Sequence, residues 1–300
     1  MSRTVLVSGA SGLIGTALVP YLRARGDRVV VLVRRPTRID DEIRWGPATG
    51  DLPEGTVDGV DVVVNLSGAG VGDKRWSEKR KKLLVDSRVD PTGLLARAIA
   101  TSSNPPSAFL SISPLGIYGQ DRGDELLDES AGFGTDFLAR LAAQWEQAAD
   151  PATAAARVVL CRTGMVLSNK GPLMAKFLPL FKAGLGGKLG SGNQWMSWIS
   201  IDDEIAALAH LMDSSLSGPV NLVAPNPVTN AEFTKVLARV LSRPALFIIP
   251  RFALVIRLGQ EMADGMALVS HRARSDLLTS DGFEFSYPDL ESALRHVLGR

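Results

Sequence analysis

Three glycines spaced by three, Gly9, Gly12 and Gly15, stand in the segment VLVSGASGLIG, directly after a β-branched run. A strand that turns through glycine into a helix offers bare backbone N–H groups at a positive helix end, which together hold a phosphate. Gly9 permits the tight turn, Gly12 lets the helix start approach a pyrophosphate, and Gly15 lets helix and strand pack closely. Ser11, Leu13 and Ile14 complete that cradle. The chemistry this predicts is dinucleotide binding. The end of the next strand selects the dinucleotide. An acid about 20 residues past the glycines binds a ribose diol. Here the strand ends Val33-Arg34-Arg35, and Asp27 comes too early, before the strand. Guanidinium groups suit a 2′-phosphate through charge-assisted bonds, so Arg34 and Arg35 point to NADP(H).

The elements that must carry these residues alternate. Thr4–Ser8, Val29–Val33, Asp61–Leu66, Ala108–Ser113 and Arg157–Arg162 are short apolar runs that read as buried parallel strands. Between them lie helical patterns at Leu13–Arg25, closed by Gly26, at about 75–101 with a break near Pro91, and at 135–146, TDFLARLAAQWE. The region 184–197 has too few apolar positions for a regular element and reads as a glycine-rich loop. Helices are expected at Asp202–Met212 and Asn230–Leu241, each capped by its first residue, and a strand at Leu246–Ile249. The expected architecture is α/β: a Rossmann-type, doubly wound parallel sheet with a smaller C-terminal substrate lobe. Residues 1–168 form the dinucleotide-binding domain, to which about 198–224 return; 169–197 and 225–300 form the lobe.

Bulk composition narrows the partners. With 45% hydrophobic residues the chain can bury a substantial core, and 33 basic against 32 acidic side chains leave no footprint for nucleic acid. The single cysteine, Cys161, lies in the apolar run RVVLC; it excludes an internal disulfide and suits a reducing cytoplasm. Three scattered histidines, with no cysteine pair, argue against structural zinc. No stretch approaches the roughly 20 apolar residues needed to span a bilayer. The expectation is a cytoplasmic protein acting on a small molecule, with no membrane and no nucleic-acid partner.

GASGLIG resembles the GxxGxxG fingerprint of the extended short-chain dehydrogenase/reductases, which include nucleotide-sugar epimerases and dehydratases. NLSG at 65–68, DKRWSEKRKKLLVDSR at 73–88, RTGMVLS at 162–168 and GLGGKLGSGNQWMSWISIDD at 184–203 narrow the likeness to an atypical branch, usually labelled "epimerase family protein". The end segment GFEFSYPDLESAL is similar to that branch's own C-terminus. The resemblance spans essentially the whole chain. It implies that Leu66, Ser67 and Gly68 lie along the adenine-ribose side and that Met165 touches the nicotinamide end. It also implies that Arg88 replaces an asparagine near the pyrophosphate, and that two copies pair as a homodimer through helices flanking the fifth strand.

The same resemblance exposes a gap. Extended members carry Tyr-x-x-x-Lys for proton exchange. Counted back from Glu146, the tyrosine falls at Leu138 and the lysine at Ala142; the accompanying serine falls at Pro114, one residue from Ser113. Tyr118 and Ser113 are the substitute catalytic candidates. Arg75 and Trp76, with Gln194, Trp195 and Trp198, are candidates for a pocket taking a flat or anionic substrate. Against these stand packing roles: a buried tyrosine ring, a solvated basic helix face, and tryptophans between lobes. Three functions stay open: an NADP(H)-dependent oxidoreductase of atypical mechanism, a non-catalytic NADP(H) sensor or scaffold, and a nucleotide-sugar epimerase or dehydratase with a relocated acid–base residue.

Overall fold

Seven runs pair as strands of one sheet: β1 Thr4–Ser8, β2 Arg28–Val33, β3 Glu42–Arg44, β4 Val62–Asn65, β5 Ala108–Pro114, β6 Arg157–Thr163 and β7 Gly218–Leu222. The computed structural model describes residues 3–300. The strand order is β7-β6-β5-β4-β1-β2-β3, and every neighbouring pair is parallel. Chain order reverses beside β1, so the crevice between the C-terminal ends of β1 and β4 is where such a sheet receives a ligand.

Strands β1, β2, β4, β5 and β6 carry consecutive apolar residues because helices cover both faces. Alternate residues of β1 point opposite ways. Val5 and Val7 join α1 (Leu13–Ala24) and a later helix, α5 (Ile201–Asp213), through Leu18, Leu22, Leu208 and Leu211. Leu6 packs on the other side with Leu95 and Ile99 of α2 (Glu78–Ala100). Helix α3 (Phe137–Gln147) follows β5 on the α2 side, where it packs against α2. A second core, built from α4 (Pro172–Lys182), α6 (Asn230–Leu241) and the final helix Leu290–Leu298, forms the C-terminal lobe around Phe181, Trp198 and Phe233.

Several sequence expectations shift. Helix α2 does not break: Pro91 lies inside it and is buried, between Arg88 and Thr92, which are buried as well. Proline removes one helical N–H, and tertiary packing on both sides holds the helix through it. The glycine-rich region is not all loop. Gly187–Leu189 pairs with Phe247–Ile249, and Trp195–Met196 with Val228–Thr229. Their partners are distant in sequence, so local composition could not reveal them. The caps are Ser200 and Thr229, whose side chains accept from the N–H groups of Asp203 and Glu232.

Candidate cofactor and proton-transfer site

The turn after β1 has the tight geometry expected of Gly9 and Gly15. Gly9 has φ +70°, and a side-chain carbon there would lie 2.4 Å from the Leu66 carbonyl oxygen. One on Gly15 would lie 2.5 Å from the Ala10 Cα. Both positions exclude any larger residue. Gly12 differs: it is exposed, and a carbon added there meets only the Gly9 oxygen, at 3.3 Å. No side chain caps α1 and no acid stands in its first turn, so its N-terminus faces open space beside exposed Ser11 and half-buried Leu13 and Ile14. A helix start left open in this way can hold an anion.

At the end of β2 the two arginines part company. Arg34 is exposed and has no hydrogen bond or ion pair among the described residues. Arg35 grips Glu42 of β3 through two bonds, of 2.8 and 2.5 Å. The Arg35 guanidinium, helped by the Arg38 N–H, holds the Glu42 carboxyl down to about 2. Sequence reading paired both guanidiniums with one ligand because Glu42 reaches Arg35 only through strand pairing.

A buried polar network fixes the far wall of the crevice. Ser8 Oγ donates to Asn65 Oδ1 at 2.7 Å, and Ser67 Oγ donates to Ser8 Oγ at 2.9 Å. Asn65 Nδ2 donates to Thr92 Oγ1 at 2.7 Å, which also accepts from Trp145 Nε1 at 2.9 Å. Asn65, wholly buried at the end of a valine run, escaped the sequence reading. An amide in that position must find partners, and that was the available signal. Leu66 is half-buried and Gly68 exposed. Beside Gly68 lies Arg88, 7% exposed, donating to the carbonyls of Ala69 at 2.8 Å and Leu84 at 3.0 Å and lying 5.0 Å from the Trp145 ring. Burial, with the charge of Arg80, lowers it to about 10. It has no carboxylate partner among the described residues. Met165, half-buried after β6, donates its N–H to Ser197 at 2.9 Å.

The structure does not bring the substitute hydroxyls to an open face. Tyr118 is wholly buried; its hydroxyl donates to Asn221 Oδ1 at 2.8 Å and accepts from Arg162 at 3.1 Å. Burial, only partly countered by Arg162, pushes its pKa up. Ser113 is 2% exposed and donates to Glu146 Oε1 at 2.6 Å. Glu146 in turn holds Arg162 through two bonds of 2.9 Å. These residues join β5, α3 and β6 into a buried structural unit. Leu138 is half-buried and Ala142 wholly buried.

The five pocket candidates are each engaged with partners of their own. Arg75 donates to the backbone carbonyls of Ile256 and, at 3.0 Å, Arg257, at the end of helix α7 (Arg251–Leu258). Trp76 donates to the Val71 carbonyl at 3.0 Å and stands edge-on to Phe137. Gln194 bonds the Leu189 carbonyl at 3.1 Å. Trp195 bonds Asp124 at 2.7 Å under the Arg272 guanidinium, 4.3 Å away. Trp198 is wholly buried in the lobe core, donating to Asn226 at 3.1 Å. Each tryptophan has its own partners, and packing accounts for Trp198. The basic segment is also less solvated than expected: Lys81 bonds Glu261 of the C-terminal region at 2.8 Å.

A family model described as "NAD dependent epimerase/dehydratase family" matches residues 5–223. The chain belongs to that family. A domain of unknown function, DUF1731, matches residues 249–297. Among relatives of this epimerase/dehydratase chain, "epimerase family protein ML0860" of Mycobacterium leprae is 42% identical over 298 residues, covering 99% of this chain and 96% of its own. The crystal structure of the human epimerase family protein SDR39U1 with NADPH is 33% identical and superposes with TM-score 0.90, over 99% of each chain. A nucleoside-diphosphate sugar epimerase from Corynebacterium glutamicum is 36% identical at TM-score 0.82, covering 100% of this chain and 59% of that one. Among the described residues no helix is long and apolar enough to cross a membrane.

Proposed function

We propose that the chain binds NADP(H) and works as an oxidoreductase of its family without the Tyr-x-x-x-Lys pair. One observation carries the reading: an uncommitted Arg34 stands at the end of β2, beside a glycine turn whose helix N-terminus is uncapped. Gly12 and the first turn of α1 would take the pyrophosphate, and Arg34 the 2′-phosphate. Arg88, buried without a counter-ion among the described residues, adds a cation beside Gly68 on the same crevice. The human relative solved with NADPH supports this choice. When bound, NADP(H) supplies or accepts hydride; the protein positions it and excludes water.

Calorimetric titration tests the reading. The wild type should bind NADPH at least about tenfold more tightly than NADH, and Arg34→Glu should erase that preference. Equal affinities for the two in the wild type would refute the 2′-phosphate role. A second reading, a sensor that binds NADP(H) without turnover, draws on the committed hydroxyls of Tyr118 and Ser113. NADPH oxidation with a panel of carbonyls and quinones favours the oxidoreductase; tight binding without turnover favours the sensor. Release of a 4-keto sugar, or of an epimer, from a nucleotide-sugar would instead support the epimerase or dehydratase reading, to which the Corynebacterium relative's description lends weight.

A further inference from the structure

Glu204 lies in the first turn of α5 and is wholly buried. Thr163 Oγ1 donates to its Oε1 at 2.9 Å, and its Oε2 has no hydrogen-bond partner among the described residues. A buried oxygen left without a partner asks for an explanation. Thr163 ends β6 at the C-terminal edge of the sheet, followed by Gly164 and Met165. Dinucleotides lie along that edge in doubly wound sheets.

The surroundings of Glu204 are neutral. The elements packed on α5 contribute Leu18, Leu110 and Val166 to this core. Cys161, on β6, is wholly buried and its thiol is pushed well up by desolvation, then by Glu204. On α5 itself, Asp202 pairs with His296, and Asp203 accepts from Ser200 and the Ser286 and Tyr287 amides. His210 pairs with Asp281, while Arg25 and Arg157 bond carbonyls at the far end of the helix. Arg162 is committed to Glu146. Desolvation therefore dominates and raises the Glu204 carboxyl to about 8.

Building on the NADP(H) reading, we propose that the Thr163–Glu204 pair is a proton site coupled to the cofactor's oxidation state, a neutral acid beside the reduced nicotinamide and a carboxylate beside the oxidised one. The oxidised ring carries a positive charge that the reduced ring lacks, and a nearby cation favours the ionised carboxyl. When the oxidised cofactor binds, the O–H bond of Glu204 breaks, its electron pair stays on the carboxylate and the proton passes to solvent. No electrons are exchanged in that step. By linkage, affinity for NADP⁺ rises with pH up to about 8 and then levels, because above that value the free protein is already ionised. Affinity for NADPH does not share this rise.

The test is the ratio of the Kd for NADP⁺ to that for NADPH, measured by calorimetry at several pH values. Titration of the 2′-phosphate, common to both nucleotides, cancels in the ratio. The wild-type ratio should fall about five- to tenfold between pH 6 and pH 8, since one displaced proton changes affinity at most tenfold per pH unit. In Glu204→Gln it should stay within about twofold. Repeating the wild-type titrations in buffers of different ionisation enthalpy should register proton release with NADP⁺ beyond that with NADPH, which decides the matter should the variant not fold. A flat wild-type ratio with no extra proton released, or an unchanged slope in Glu204→Gln, overturns the inference. Failure of both nucleotides to bind at any pH overturns the NADP(H) reading itself, and this inference with it.

Discussion

At the scale of single residues, the contrast between Arg34 and Arg35 shows how little a dipeptide reveals about charge. The two are adjacent and identical in type, yet one has a carboxylate 2.5 Å away and the other has none among the described residues. Gly9 allows a sharper statement. A methyl group there would sit 2.4 Å from a backbone oxygen, on a residue at φ +70°. Gly9→Ala should therefore lose about 2–4 kcal/mol in urea unfolding and most cofactor affinity. A variant with normal stability would show that the turn relaxes. Glu204 gives a pH signature in stability. Its carboxyl is near 4.5 in the unfolded chain and about 8 in the native protein. The native state thus binds more protons between those values, so the penalty of burying Glu204 grows as pH rises through that window and levels above 8. The stability difference between Glu204→Gln and wild type should widen in the variant's favour by about 3 kcal/mol from pH 5 to pH 8. A constant difference would mean the carboxyl is solvated.

At the scale of elements, the helix starts divide into two kinds. Helix α5 begins with Ser200, whose hydroxyl accepts from the Asp203 N–H at 3.0 Å and donates to its carboxylate at 2.9 Å. Helix α1 begins with Gly12 and has no side-chain cap. The first end is closed by a side chain; the second is open, as the proposed pyrophosphate site requires. Ser200→Ala should cost about 1–2 kcal/mol of stability, read by chemical unfolding, while leaving NADPH affinity within about twofold. A loss of affinity equal to that of Gly9→Ala would mean that the Ser200 cap itself, and not only Glu204, shapes the cofactor site. Five of the seven sheet strands were legible in sequence because burial on both faces leaves unbroken apolar runs, whereas β3 (Glu-Ile-Arg) and β7 (Gly-Pro-Val-Asn-Leu) carry no such run and were not. The short ribbons at Gly187–Leu189 and Trp195–Met196 were not, because strands this brief carry too little pattern and owe their existence to distant partners.

At the scale of the whole molecule, Arg162 binds the layers together. It holds Glu146 of α3 through both carboxylate oxygens and reaches the Tyr118 hydroxyl and the Glu129 carbonyl, while nearly wholly buried. Removing one partner of a buried ion pair strands the other charge. Arg162→Met should therefore destabilise the fold by about 3–5 kcal/mol, and a smaller loss would show that water reaches Glu146. By itself the sequence determined the dinucleotide fold, because glycine spacing and apolar periodicity are local properties written along the chain. It also determined that no tyrosine or lysine occupies positions 138 and 142. Only the tertiary structure decided which charges are free, since pairing depends on residues that meet through strand order and helix packing. Arg34 came out uncommitted and Arg35 engaged; Tyr118 and Ser113 became framework, and an unremarked glutamate of α5 emerged as the buried acid. Electrostatic identity is set by burial and neighbours, and those exist only once the chain has folded.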